Sequence, residues 1–286
     1  MKTEKHSNYK SYLYVAPAVI LAFLFCWYPA LLSFIQSFLK VNVSGKILGF
    51  SGLSNFKTLL SDKAFLNSLK VSIKFRLSFV PANTFLTLLA ASLTRRKSKG
   101  SAIAEYIFFA PVAVSLSTYS LLIREIFRGS ASVINKITGL NGAWITDPNG
   151  AMLTLVLLGI FLDFGIDYIL LLCAFRSIDK SVIEAARMDG AGGRRLFYQI
   201  ELPLIKETVL VTIFLALKDA ILISAPIIIL TEGGPYRSTE TIMYYYYLEA
   251  FKSGNRAVQN ALSATVLIIA VFFMVLYNKR RAHEVK

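Results

Sequence analysis

Asp163 and Asp167 stand four residues apart in a long apolar run, with Tyr168 beside the second. On a helix that spacing puts both carboxylates on one face. Lys218 and Asp219 interrupt another apolar run, and Asn83 lies in a third, shortly after Lys74 and Arg76. Ionisable groups are costly at bilayer depth, so they face a cavity or one another. Carboxylates and amides beside aromatic rings suit sugar hydroxyls. Asn83, Asp163, Asp167, Tyr168, Lys218 and Asp219 are therefore the expected substrate-pathway residues. An internal ion pair of Asp163 or Asp167 with Lys218 is the competing reading of the same charges. An anionic solute would take Lys74, Arg76 and Lys218 as its ligands.

The groups needed for bond-making chemistry are missing. The only histidines, His6 and His283, stand in polar tails, which leaves no histidine-based metal cluster and no Ser-His-Asp arrangement in the body. Gly190-Ala191-Gly192-Gly193-Arg194 lacks the spacing and the Lys-Ser/Thr ending of a phosphate loop. Asp163 with Asp167 is a poor candidate for a carboxylate dyad, having no evident catalytic partner. Cys26 and Cys173 fall inside apolar runs, where a thiol behaves as a small apolar group. The chain is expected to hold no catalytic residue, metal or cofactor. If transport here uses ATP, another chain binds it with Mg and hydrolyses it.

Six apolar stretches must position the charged groups: Tyr12 to Leu39, Leu66 to Leu93, Ala102 to Ile123, Met152 to Phe175, Thr208 to Leu230 and Ala257 to Tyr277. Each has about the 20 residues a helix needs to cross a bilayer. The runs are continuous rather than alternating, which favours helices over strands. With hydrophobic residues at 55%, charged residues at 17% and a mean hydropathy of +0.57, a soluble globule, a disordered chain and a disulfide scaffold are excluded. The expected architecture is an all-α polytopic membrane protein. It comprises a tail at 1–11, a six-helix domain at 12–277 and a second tail at 278–286.

The net charge of +14 would suggest nucleic acid in a soluble protein. With six spans it reads instead as orientation: 17 of 31 basic residues fall in the tails and inner loops and 11 in the outer loops, which places both termini in the cytoplasm. The first span is too long for a cleaved signal, and Phe23-Leu24-Phe25 before Cys26 is too bulky for a lipoprotein site, so it reads as an uncleaved anchor.

The largest inner loop, 176–207, has its own architecture. Glu184 to Met188 are good helix formers, Gly190, Gly192 and Gly193 can cap and turn, and Pro203 limits how far a second helix can run. Val182, Ile183 and Ala186 give an apolar face on a loop that has no need of one in water. Glu184-Ala185-Ala186, then Asp189-Gly190-Ala191, then Phe197, Ile200 and Leu202-Pro203 resemble the EAA loop of binding-protein-dependent ABC importer permeases, specifically the carbohydrate-uptake group. The resemblance extends to Tyr28-Pro29, Ser37-Phe38, Gly52 to Phe56, Gly233-Gly234-Pro235, Tyr247 and Ala250-Phe251. Glu207 stands where such permeases often carry a second proline.

The resemblance implies the type I importer architecture in a bacterial or archaeal cytoplasmic membrane. A second, similar permease would complete the pathway, ATP-binding subunits would dock on the EAA loop, and an extracellular solute-binding protein would deliver substrate. By the same analogy Glu184, Ala185, Ala186, Asp189, Gly190 and Ala191 form the ATPase-coupling contact, and the partners include lipid but no nucleic acid. A sugar is the expected solute, with glycerol 3-phosphate or another anion as the alternative. A self-sufficient secondary transporter is the rival class, but no inverted repeat is visible. Tyr244 to Tyr247 read as interfacial anchors, and Thr231 to Pro235 as an outer turn.

Overall fold

The computed structural model describes residues 8–42, 44–129, 132–139, 142–254 and 258–268. They are mostly helical and divide into two compact units, one comprising the described residues up to Phe65 with those from Tyr246 onward, the other Leu66–Tyr245. Both histidines, the tail at 278–286 and the second half of the expected sixth span lie outside the described residues.

The first unit begins with helix α1 (Asn8–Ala22), which passes through a π-turn at Phe23–Trp27 into α2 (Tyr28–Gln36). The helix therefore starts before the expected boundary at Tyr12 and stops short of Leu39. Pro29 accounts for the π-turn. A proline ring collides with the carbonyl four residues back, here that of Phe25, and a turn widened to i→i+5 relieves the collision. The Tyr28 N–H accordingly donates to Phe23 O. Then comes a departure from the all-α expectation, an antiparallel ribbon of β1 (Leu39–Val41) and β2 (Ile47–Phe50) with Leu39 opposite Phe50 and Lys40 opposite Gly49. Helix α3 (Ser54–Ser61) comes next. Its buried Asn55 amide donates to Ser37 O at 2.8 Å and Leu39 O at 3.0 Å, tying α3 to the ribbon.

Helix α4 (Lys63–Thr94) carries the second expected span without a break. The third is not straight. Helix α5 (Lys99–Phe109) tightens into a 3₁₀ turn at Ala110–Ala113, and α6 (Leu116–Phe127) leaves at 102° to it. Pro111 removes one helical donor, and the Ser115 side chain then accepts from Thr118 N to start the new helix. Helix α7 (Val133–Thr138) leads to α8 (Pro148–Ser177), which carries the fourth expected span.

Four short elements make up the loop expected on the inner side: α9 (Lys180–Met188), α10 (Gly193–Leu196), a π-turn at Phe197–Glu201 and α11 (Leu202–Leu204). The second π-turn precedes Pro203 as the first precedes Pro29, and for the same steric reason. The fifth expected span is broken into α12 (Lys206–Leu222) and α13 (Ala225–Leu230). Pro226 cannot donate back to Leu222, so the ladder stops there. Helices α14 (Ile242–Leu248) and α15 (Val258–Ile268) complete the described chain.

Among the described residues, three helical runs can each cross a bilayer by length and apolarity: Tyr12–Gln36, Lys63–Thr94 and Pro148–Ser177, with 25, 32 and 30 residues. The bent α5–α6 pair makes a fourth if it counts as one span. In the second unit α4 packs on α8 closely enough that a Cβ at Gly159 would stand 3.1 Å from the Phe79 ring. At Gly165 a Cβ would meet Val112 at 2.6 Å and Phe108 O at 3.2 Å. Small residues at helix crossings are what close packing in a membrane requires.

Candidate functional site

Within the second unit lies a cavity of about 260 Å³, walled by Phe75 and Phe79 of α4, Leu116 of α6, Asp163 of α8, Asp219 of α12 and the α12–α13 break at Ile223–Ala225. Its ionisable lining consists of the two carboxylates; among the described residues no lysine or arginine lines it. The structure thus brings together two of the six expected pathway residues, from helices far apart in sequence. Lys218 is turned to its neighbour, with Nζ 2.8 Å from Asp219 Oδ1. It makes no ion pair with Asp163 or Asp167.

The other three expected residues are internal. Asn83 and Asp167 are buried, and the Asn83 amide donates to Asp167 Oδ2 at 2.7 Å. This amide–carboxylate pair stands in place of the ion pair with Lys218 that the competing reading offered. Tyr168 is fully buried, its hydroxyl 2.8 Å from Thr94 Oγ1 and its ring edge-on to Phe108. Lys74 reaches Asn149 Oδ1 at 3.4 Å, while Arg76 Nε is buried with no hydrogen-bond partner among the described residues.

The expected coupling segment forms a capped hairpin. Asp179 is the N-cap of α9, accepting from Ser181 N at 3.0 Å. That bond holds its carboxyl below the usual carboxylate range. At the other end Asp189 is the C-cap and Gly190 takes the left-handed conformation with φ +81. Ala191 N donates to Ala186 O at 2.9 Å and Gly190 N to Arg187 O at 3.0 Å. These are the two bonds of a Schellman motif, and the packing of Ala186 on Ala191 is its accompanying apolar contact.

Ala186, Ala191 and Leu196 are buried together with Ile183 and Ile200 packed on them, so the apolar face of α9 is covered by the hairpin itself. Val182 is the exposed exception, at 41%. Glu184, Ala185, Asp189 and Gly190 are exposed. The two alanines therefore differ: Ala185 is presented outward, whereas Ala186 holds the hairpin shut.

Asp179 supplies a test of the cap. Its depressed carboxyl stabilises α9 fully above the ordinary carboxylate range, and the contribution fades as pH falls through the lowered value. Asp179→Ala is expected to speed amide exchange across the first turn of α9 at neutral pH, and the difference from wild type should vanish in strong acid.

Sequence reasoning missed Glu201, Thr94 and Asp179, and counted Arg95 and Arg176 only as inner-side charge. Arg95 Nε stands 3.0 Å from Glu201 Oε1, and Arg176 Nη1 donates to Glu105 Oε2 at 3.1 Å. Glu201 lies between Ile200 and Leu202-Pro203, and a lone acid in that apolar string was the available clue. Tyr244 and Tyr245 are buried rather than interfacial. Gly233, at φ +81, sits against the Tyr244 ring, where a Cβ would come within 2.6 Å.

Apolar helices of membrane length, a cavity between them that bears two carboxylates, and a self-packed hairpin with exposed polar groups define a membrane transport permease. Residues 83–283 match the family described as binding-protein-dependent transport system inner membrane component, and the chain belongs to that family. It is 30% identical over 279 residues, 95% of each chain, to the sn-glycerol-3-phosphate transport system permease protein UgpA of Agrobacterium fabrum (strain C58 / ATCC 33970). It is 26% identical over 276 residues, 96% of this chain and 95% of the relative, to the multiple sugar-binding transport system permease protein MsmF of Streptococcus mutans serotype c (strain ATCC 700610 / UA159). Its fold matches that of a bacterial ABC transporter involved in the import of the acidic polysaccharide alginate, with a TM-score of 0.82 at 21% identity over 96% of each chain.

Proposed function

We propose that this chain is one of two permease subunits of an ATP-driven importer for a sugar, with six spans and both termini in the cytoplasm. The polar tails at 1–11 and 278–286 would flank the membrane domain at 12–277, although α1 already begins at Asn8. ATP and Mg belong to separate ATP-binding subunits that dock on the hairpin at Glu184, Ala185, Asp189 and Gly190, with Ala186 and Ala191 shaping it from within. An extracellular solute-binding protein delivers the solute, and closure of the ATPase dimer switches the helices between inward-open and outward-open states.

The observation that carries the sugar reading is the cavity. Its carboxylates Asp163 and Asp219 accept hydroxyl hydrogens, and the apolar wall around them, with Phe75, Phe79 and Leu116, suits the C–H surface of a pyranose. A phosphate would meet like charge at Asp163, whereas Asp219 is already paired with Lys218. Asp163→Asn and Asp219→Asn are each expected to lower sugar uptake by about tenfold, the loss of one charge-assisted hydrogen bond, without changing the amount of transporter in the membrane. Unchanged uptake in both variants would remove the cavity from the pathway. A thermal-shift screen of the cognate binding protein against sugars and sugar phosphates identifies the solute directly. A second reading, an anionic solute such as glycerol 3-phosphate, is favoured by the unpartnered Arg76 Nε; stabilisation by phosphate esters but not by sugars would select it.

A further inference from the structure

The inner ends of α4, α5 and α8 meet the second half of the hairpin around two arginines. Arg95, the first residue beyond α4, ion-pairs with Glu201 of the π-turn at 3.0 Å, the two side chains being 20% and 5% exposed. Its guanidinium also lies 5.8 Å from the centre of the Phe175 ring and donates to Ser92 O at 2.6 Å. Arg176 of α8 donates to Thr94 O at 3.1 Å and Arg95 O at 3.3 Å. Those carbonyls are among the ones that the end of α4 leaves without helical partners. Arg176 in turn is clamped by Glu105 of α5.

The apolar contacts run the same way. Phe197 stacks on Phe175 with centroids 6.1 Å apart, and Ile205 is buried with Ala90, Ala91, Leu171 and Leu172. Apolar packing sets a distance yet tolerates sliding, whereas a directional ion pair fixes register. Glu201 depends on one cation, because its second oxygen is buried with no hydrogen-bond partner among the described residues. Any slide of the hairpin along α4 would strand that carboxylate, so the register is strongly held.

We infer that the Arg95–Glu201 pair is a positioning contact that makes the second half of the hairpin move as one body with α4 and α8. These two helices carry Phe75, Phe79 and Asp163 on the cavity wall. A push received at Glu184 and Asp189 thereby reaches the cavity through a rigid element rather than a flexible tether. This rests on the proposed ATP-driven function.

The test uses the complete transporter with its partner permease, ATPase and binding protein in proteoliposomes. Uptake is measured with the solute returned by the binding-protein screen. Arg95→Glu and Glu201→Arg are each expected to assemble and to hydrolyse ATP while uptake falls at least about tenfold, and the charge-swapped double variant to recover uptake to within about threefold of wild type. A purely structural role would instead lower assembly and hydrolysis together. Should the single variants fail to assemble, a distance measurement decides. Spin labels at Leu93→Cys and Arg194→Cys, in a chain carrying Cys26→Ser and Cys173→Ser, are expected to report one distance both without nucleotide and with ATP trapped on a hydrolysis-deficient ATPase. Normal uptake in both single variants, a swap no better than its parents, or a label distance that changes on trapping overturns the inference. Absence of ATP-dependent uptake by the wild type would overturn the proposed function instead.

Discussion

Gly190→Val is expected to leave membrane insertion intact and to cut uptake to below about a tenth of wild type, since left-handed backbone costs a non-glycine residue about 1–2 kcal/mol and a β-branched one more. At φ +81 the obstacle is conformational, because a Cβ there would meet nothing within 4 Å. The strain would break the bond from Ala191 N to Ala186 O and let α9 fray at the end that presents Asp189. Gly190→Asn separates this account from a need for glycine as such, because asparagine enters the left-handed region at small cost. It should retain most of the uptake. Uptake assays on membranes with matched transporter levels decide the matter, and equal loss in both variants would move the explanation from backbone geometry to steric exclusion at the docked ATPase.

The second large effect concerns stability. Asn83→Leu deletes the donor to Asp167 Oδ2 and leaves a carboxylate that is only 3% exposed without its amide. An unsatisfied buried polar group costs about 1–3 kcal/mol, and more if charged. A fall of several degrees in the thermal midpoint of the detergent-solubilised protein is expected. The double variant Asn83→Leu/Asp167→Leu removes both partners and should recover most of that loss. Uptake by the double variant then tells whether the pair is structural or also meets solute: normal uptake assigns it to packing, whereas a stable but inactive protein returns it to the pathway.

The sequence carried its information unevenly, for physical reasons. The apolar run from Leu66 to Leu93, which holds Lys70, Lys74, Arg76 and Pro81, predicted α4 correctly, because a proline within a long helix can be absorbed by its neighbours. The same logic failed at Pro111, where Ser115 caps a new helix, and at Pro226, where the chain stops at Leu222 and restarts at Ala225 without a side-chain cap. Hydropathy is blind to that difference. The C-terminal end of α9 was legible, since Schellman geometry is written locally in Gly190 and its neighbours, whereas its N-cap Asp179 was not. The charged residues were legible as a set but not as pairs. Asn83 and Asp167 are 84 residues apart, Arg95 and Glu201 over a hundred, and a helix face says nothing about which opposite face it meets.

The two breaks that hydropathy missed share one location: Leu116, which opens α6, and Ile223 and Ser224, which separate α12 from α13, all border the cavity. Irregular backbone at membrane depth is tolerated where it is buried in protein or lines a water-filled space. An empty cavity would therefore be wet, its water satisfying peptide groups that the interrupted helices leave over. On the proposed reading, solute entry would trade one set of hydrogen bonds for another instead of stripping a polar molecule into a dry one. Selectivity for the proposed sugar would then be a matter of how well its ring of hydroxyls replaces that water, hydrogen bond for hydrogen bond.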